Sequence, residues 1–329
     1  MNPIRIHSRT RIAATLASAL LGATLSAGAL AQAWPSRPIL WLYPFGESAA
    51  TGWVRTLAQE MSKTLGQSVL VENKPGMGGR IGMNQLMAAK PDGYTISIVV
   101  PSMVAYQPLT SPTFKIEPGK SYTAITQIYN LKLNLYGSNK VPYNDIKGLV
   151  AFAKANPGKL NYGSTGTAST GHFAGELLSR GAGIQMVHVP YKGEGDQTAA
   201  AIAGDLHLYI TSGGPKTSVE AGRIQVLGTT GDTRSKTFPN IPTAKEQGVD
   251  FVMTQWMGVV GPPGLPADII SRLSQAITAA MKEASPIKAS EIAGVEPTPS
   301  VSPEAFAALI RADMKALEPV VKATGIVTD

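Results

Sequence analysis

Cysteine is missing from the whole 329-residue chain, which excludes disulfides, thiolate metal sites and a cysteine nucleophile and leaves packing to hold the fold. Histidine is nearly as scarce, at four residues, and aromatics make up 6 % of the chain. No complete G-x-x-x-x-G-K-[ST] phosphate loop occurs, and neither Ser164 nor Ser169 sits in a Gly-x-Ser-x-Gly elbow. Nucleotide hydrolysis and acyl-enzyme chemistry therefore have no motif to rest on. Runs of lysine or arginine are absent too. The formal charge of +7 is dispersed, which disfavours nucleic acid as a partner and leaves a weak bias toward anionic small molecules.

Long apolar runs are lacking with one exception. Arg5, Arg9 and Arg11 precede an Ala-rich apolar stretch from Ile12 to Leu30, and Ala29-Leu30-Ala31 or Ala31-Gln32-Ala33 offers a small-x-small cleavage site. This predicts an export signal over residues 1–33, cut near Ala31 to Ala33, in preference to a retained membrane anchor. Cleavage removes three arginines and leaves a net charge of +4. The mature protein is expected to be soluble, exported and monomeric.

What remains suits two lobes with real cores, at 43 % hydrophobic content. Strand-like runs at Pro38 to Pro44, Ser68 to Glu72 and Thr95 to Val100 alternate with helical spacing at Trp53 to Met61 and Met83 to Lys90. The alternation resumes past Tyr122 to Tyr136, with strands at Met186 to Val189, Leu206 to Ile210 and Ile224 to Gly228. A last strand over Val252 to Val260 leads into helices at Asp268 to Glu283 and Pro303 to Ala323. Such alternation argues for α/β lobes with mostly parallel, doubly wound sheets. Crossings near Leu133 and Val252 make one discontinuous lobe of 34–133 with 252–329, and a second of 134–251.

Two stretches stand out chemically. Tyr162-Gly163-Ser164-Thr165-Gly166-Thr167-Ala168-Ser169-Thr170 and Phe45-Gly46-Glu47-Ser48-Ala49-Ala50-Thr51 each follow a strand and open a helix. Small hydroxyls and bare amides at a helix N-terminus either cap the helix or attract an anion, and two such turns can form the halves of a clamp. Ser102, after the third strand, extends the first half. His172 and Glu176 share a helix face, but no third ligand accompanies them, so neither metal nor cofactor is expected. His188 reads as a core histidine. His207 reads as core or cleft, and Tyr191 and Lys192 stand at a strand exit where ligands sit. Trp53 reads as core or ligand lining, Lys192 as solvated or anion-steering, and Arg80, in Gly76-Met77-Gly78-Gly79-Arg80-Ile81-Gly82, as surface charge or anion contact. That glycine run has Ile81 where a dinucleotide fingerprint needs its third glycine.

The blocks Trp34-Pro35-Ser36-Arg37-Pro38-Ile39, Val71-Glu72-Asn73-Lys74-Pro75-Gly76-Met77-Gly78-Gly79-Arg80-Ile81-Gly82, Lys90-Pro91-Asp92-Gly93-Tyr94-Thr95, Tyr162-Gly163-Ser164-Thr165-Gly166 and His188-Val189-Pro190-Tyr191-Lys192-Gly193 together resemble the Bug (TctC-type) extracytoplasmic solute receptors of tripartite tricarboxylate transport systems. The resemblance implies a type II periplasmic binding protein, with two lobes joined by crossover strands and closing over a small carboxylate. It implies delivery to membrane transporter subunits, and ligand donors from Phe45 to Thr51 and from Ser164, Thr165, Gly166, Ser169 and Thr170. A receptor feeding a membrane kinase, or an exported carboxylate-processing enzyme using His172, His207 or Glu47, is the alternative. The first loop departs from the family's Pro-Phe-x-Pro-Gly-Gly-x-x-Asp, with Gly52 in place of the acid, and His207 and Thr211 stand where relatives tend to carry aspartates. Fewer acids favour a dicarboxylate or an aromatic acid over an amino acid.

Overall fold

Ten strands form the frame: β1 (Ile39–Tyr43), β2 (Val69–Asn73), β3 (Thr95–Val99), β4 (Thr123–Lys132), β5 (Asn134–Ser138), β6 (Leu160–Ser164), β7 (Met186–Pro190), β8 (Leu208–Thr211), β9 (Ile224–Thr229) and β10 (Thr254–Gly261). The computed structural model that shows them describes residues 34–328 apart from 213, 214, 236 and 294. The export signal expected over residues 1–33 lies outside the described residues.

The strands make two five-stranded sheets, ordered β2-β1-β3-β10-β4 and β7-β6-β8-β5-β9. Each sheet is less parallel than the alternation predicts. β10 runs antiparallel to both β3 and β4, and β5 runs antiparallel to both β8 and β9. The reason is topological: β5 and β10 are strands that arrive from the other lobe, so their direction follows from the crossing and not from a β-α-β repeat.

That crossing fixes where function can sit. β4 leaves the first sheet at the edge where β1 and β3 also end, and only Leu133 separates it from β5. Asn134, the first residue of β5, pairs with Thr211, the last of β8. The carboxyl edges of the parallel strands in both sheets therefore face one another across the crossovers, which is where α/β sheets hold ligands. Thr230 lashes the crossovers together, its buried hydroxyl accepting from the Leu133 amide at 3.1 Å and donating to the Met253 carbonyl.

Packing follows the strand period of two. Leu208 and Ile210 point into the main core of the second lobe, with Tyr162, Phe173 and Leu135, while Tyr209 turns to the opposite face and stacks on Tyr136, ring centres 5.3 Å apart. The first lobe buries Trp41, Trp53 and Trp256 completely, and burial of a large apolar side chain is worth about 1.5–3 kcal/mol. Trp53 is thus core and not ligand lining. The long helix Pro303–Thr324 serves both cores, placing Phe306 and Ile310 in the first and Leu317 and Val320 in the second. Sequence patterning misses the helix Ala284–Ala293 and the helical stretch from Ser102 to Thr110. Among the described residues no helix is long and apolar enough to cross a membrane. The Gly119-Lys120-Ser121 triplet, which matches only the tail of a phosphate loop, forms a tight turn in which Lys120 pairs with Glu117.

Candidate functional site

Both helix-opening turns are capped as their composition demands. Ser48 accepts the Thr51 amide at 3.2 Å and starts the helix Ala49–Leu65. Ser169 accepts the His172 amide at 3.4 Å and starts the helix Thr170–Ala182. Capping satisfies one orphan donor of each first turn and leaves others. Among the described residues no hydrogen bond engages the amides of Glu47, Ser48 and Ala50, nor those of Thr165, Thr167 and Thr170. Gly46, Glu47, Ser48 and Thr165 are exposed, so free backbone donors stand on both edges of the cleft.

Several candidate side chains are occupied elsewhere. Thr51 is buried and donates its hydroxyl to the Gly46 carbonyl at 3.2 Å. Glu47 turns back onto its own helix and pairs with Arg55. The Phe45 carbonyl accepts from Asn73 at 2.9 Å, which fixes the turn's shape. Ser164 is 1 % exposed, its hydroxyl held by Gly166 and by His188 Nε2 at 2.6 Å. The Thr170 hydroxyl bonds the buried Tyr106 phenol. Thr211 donates to Glu194 at 3.3 Å.

His207 is the clearest correction. It stands before β8, where its backbone and ring both meet Asn161 near the start of β6, at the edge of the sheet remote from the cleft. Tyr191 leans on the Tyr136, Ala201 and Tyr209 cluster and feels Asp205, so its ring points away from the opposing lobe. Lys192 is exposed. No three metal-ligating side chains gather among the described residues.

The profile of the tripartite tricarboxylate transporter family receptor matches residues 53–326. The chain belongs to that receptor family. A Cupriavidus necator relative, the UPF0065 protein in the gbd 5' region, is 35 % identical over 84 % of this chain and 85 % of its own length. The periplasmic binding protein BugD aligns with a TM-score of 0.67 at 25 % identity, covering 90 % of this receptor and all of BugD. Rpa4515 of R. palustris, solved with adipate, gives 0.70 at 28 % identity over 89 % of this chain and 99 % of its own. The profile match begins immediately past the aberrant first loop, at Trp53.

A cavity of about 510 Å³ lies between residues of the receptor's two lobes. Met77, Gly78, Arg80, Ser102 and Gln107 line it from the first, Thr167 and Ala168 from the second, and Val327 and Thr328 from the C-terminal end of the chain. Of the predicted side chains only Ser102 borders it. Arg80, left open between surface and ligand, is placed there by Gln107, whose Oε1 accepts from its Nε at 3.0 Å. Met77 and Ala168 both adopt left-handed backbone, with φ 48° and 58°, a conformation that costs a non-glycine residue roughly 1–2 kcal/mol. Strain of this kind concentrates where a turn must present itself to a ligand. No sequence signal marks either residue, because alanine and methionine are not turn formers. Glu194 was also missed. It is half-buried in the first turn of the helix Glu194–Ala203, and burial holds its carboxyl above the usual range.

Beneath the second turn lies a pair of stacked imidazoles. His172 and His188 have ring centres 3.7 Å apart and planes inclined by 6°. His172 is buried in place of facing the ligand, so its expected binding role is not direct. Its Nδ1 accepts the Ala168 amide at 3.0 Å. Glu176 lies 4.0 Å from its Nε2, but that carboxylate already accepts the Tyr162 hydroxyl at 2.6 Å. Desolvation therefore wins over the ion pair, and both imidazoles titrate below their ordinary range, His188 near pH 4.

Proposed function

We propose that this receptor works in the periplasm as a monomer that closes its lobes, 34–133 with 252–329 against 134–251, over a small organic carboxylate. The solute, a dicarboxylate or aromatic acid by preference, is then presented to the membrane subunits of a tripartite tricarboxylate-type transporter. The observation that carries this reading is the pair of facing carboxyl edges, each bearing a helix-opening turn with unengaged amides. The adipate bound to Rpa4515 is consistent with that chemistry. A charge-assisted hydrogen bond contributes roughly 1.5–3 kcal/mol net, so four or five of them support micromolar affinity after the costs of closure. Binding alone accounts for these features, with no bond made or broken.

A thermal-shift screen of mono-, di- and tricarboxylates, followed by calorimetry on the hits, tests the proposal, because a solute that binds only the folded form raises the melting temperature. Gly166→Ala is the control within the site. Gly166 has φ 120° and no atom within 4 Å of a Cβ, so the change disturbs the turn without a clash, and affinity is expected to fall about tenfold. A screen in which no acid shifts the protein, or in which the bound acid is recovered chemically altered, overturns the reading.

A further inference from the structure

The turn from Ser164 to Ser169 is fastened from below at two points, and both fastenings are histidines. Ala168 holds its left-handed backbone while its amide donates to His172 Nδ1 at 3.0 Å. At the turn's entry His188 Nε2 meets the Ser164 hydroxyl at 2.6 Å, and that oxygen also accepts the Gly166 amide at 3.1 Å and donates to the Gly166 carbonyl at 2.8 Å. The two rings stack face to face at 3.7 Å, so the fastenings form one unit.

We infer that His172 and His188 are positioning residues that hold the anion-gripping turn in shape, His188 by donating Nε2–H to Ser164 and His172 only while its ring is neutral, which makes the receptor release its carboxylate in acid. The inference rests on the ligand reading of that turn. Its chemistry is short. Neutral His172 offers Nδ1 as an acceptor, and a proton there turns the contact into two opposed N–H groups. A second positive charge on the stacked partner is disfavoured at this separation. Glu176 on the same helix is the charged group facing the pair, with the Tyr162 hydroxyl of β6 and Ser164 completing the surroundings. Glu176 lies beyond hydrogen-bond reach of His172 and is committed to Tyr162, so it offsets burial only in part.

The sign follows. A turn that grips only with His172 neutral binds ligand with release of the proton the free turn carries, so affinity is flat above about pH 6.5 and falls below it. The carboxylate ligand also protonates in that range, and a comparison between variants removes its share.

His172→Asn keeps a neutral acceptor near the position of Nδ1, and His188→Gln keeps a polar group within reach of Ser164, yet neither titrates. Calorimetry with adipate from pH 8 to 4.5 refers the affinity of the wild type and of the double variant each to its own value at pH 8. On going from pH 8 to pH 4.5 the wild type should lose several-fold more affinity than the variant. His172→Leu, which removes the acceptor, should bind weakly at every pH. Overlapping profiles of wild type and double variant overturn the inference, as does undiminished affinity of His172→Leu at pH 8. The Ala168 amide proton, followed by NMR in the ligand-free protein, separates this inference from the receptor reading. Its resonance should shift with acid in the wild type and not in His172→Asn, whereas an amide that ignores pH refutes the latch. If adipate binds to no variant at any pH, the choice of ligand fails and the amide alone decides the latch.

Discussion

Glu194 is a half-buried carboxylate whose only hydrogen-bonding partner among the described residues is the Thr211 hydroxyl, at 3.3 Å. It stands at the cleft edge of the second lobe, and among the described residues no cation pairs with it there. Burial raises its proton affinity, against a smaller opposing effect of Thr211. A carboxylate ligand entering the cleft therefore meets like charge at high pH and a neutral acid at low pH. Glu194→Gln should tighten adipate binding several-fold at pH 8, with the two proteins converging as the pH falls and the wild-type side chain takes up its proton. A calorimetric ratio that stays constant with pH would place Glu194 outside the ligand's reach. At this scale the sequence was readable in residue type and misleading in availability. Ser164 and Thr51 were legible as hydroxyls beside helix starts, but buried hydroxyls are taken by the nearest backbone acceptor or side chain, and which neighbour lies near is a tertiary fact. His207 failed for the same reason, since the end of β8 that carries it depends on strand direction.

Among the elements, the helix Pro303–Thr324 carries an unusual load. Its Asp313 is part-buried where the two cores meet, accepts the Trp256 indole N–H at 2.7 Å and has its carboxyl pushed up to about 6 by desolvation. A folded-state value above the unfolded one means that the native protein binds the extra proton. The associated stability is complete below about pH 4 and is lost as the pH rises through 6. Asp313→Asn keeps an acceptor for the indole and removes the part-buried charge. It is expected to stabilise the protein by roughly 1–3 kcal/mol at pH 8 and by nothing at pH 4. Urea unfolding at the two pH values checks this, and equal stabilities at pH 8 would mean that the charge is solvated. Long amphipathic helices such as this one were legible because a 3.6-residue apolar stripe repeats over many turns. Ala284–Ala293 was not. Proline stands at position 286, and few of its side chains are buried, so the stripe that signals a helix is faint.

At the scale of the whole molecule the alternation of strands and helices revealed two α/β units, while the reversed β5 and β10 did not show, because strand direction leaves no mark in composition. Those strands decide how the lobes can move. Besides the crossovers, the lobes share the packing of Tyr106, Leu317 and Val320 into the second core, so closure must pivot with that side fastened. Thr230 confines the pivot further, since one buried hydroxyl joins the Leu133 amide of one crossover to the Met253 carbonyl of the other. Thr230→Val conserves shape and deletes both bonds, leaving two buried backbone groups unsatisfied at a cost of about 1–3 kcal/mol. If the lash also limits the lobes to one hinge path, its loss widens the open ensemble and increases the ordering cost of closing over a ligand. The variant should then bind adipate about three- to tenfold more weakly, and small-angle scattering should show a larger radius of gyration than the wild type without ligand and the same radius with it. Scattering curves that coincide in both states, together with unchanged affinity, would show that the crossovers bend independently and that the pivot is set by the shared core alone.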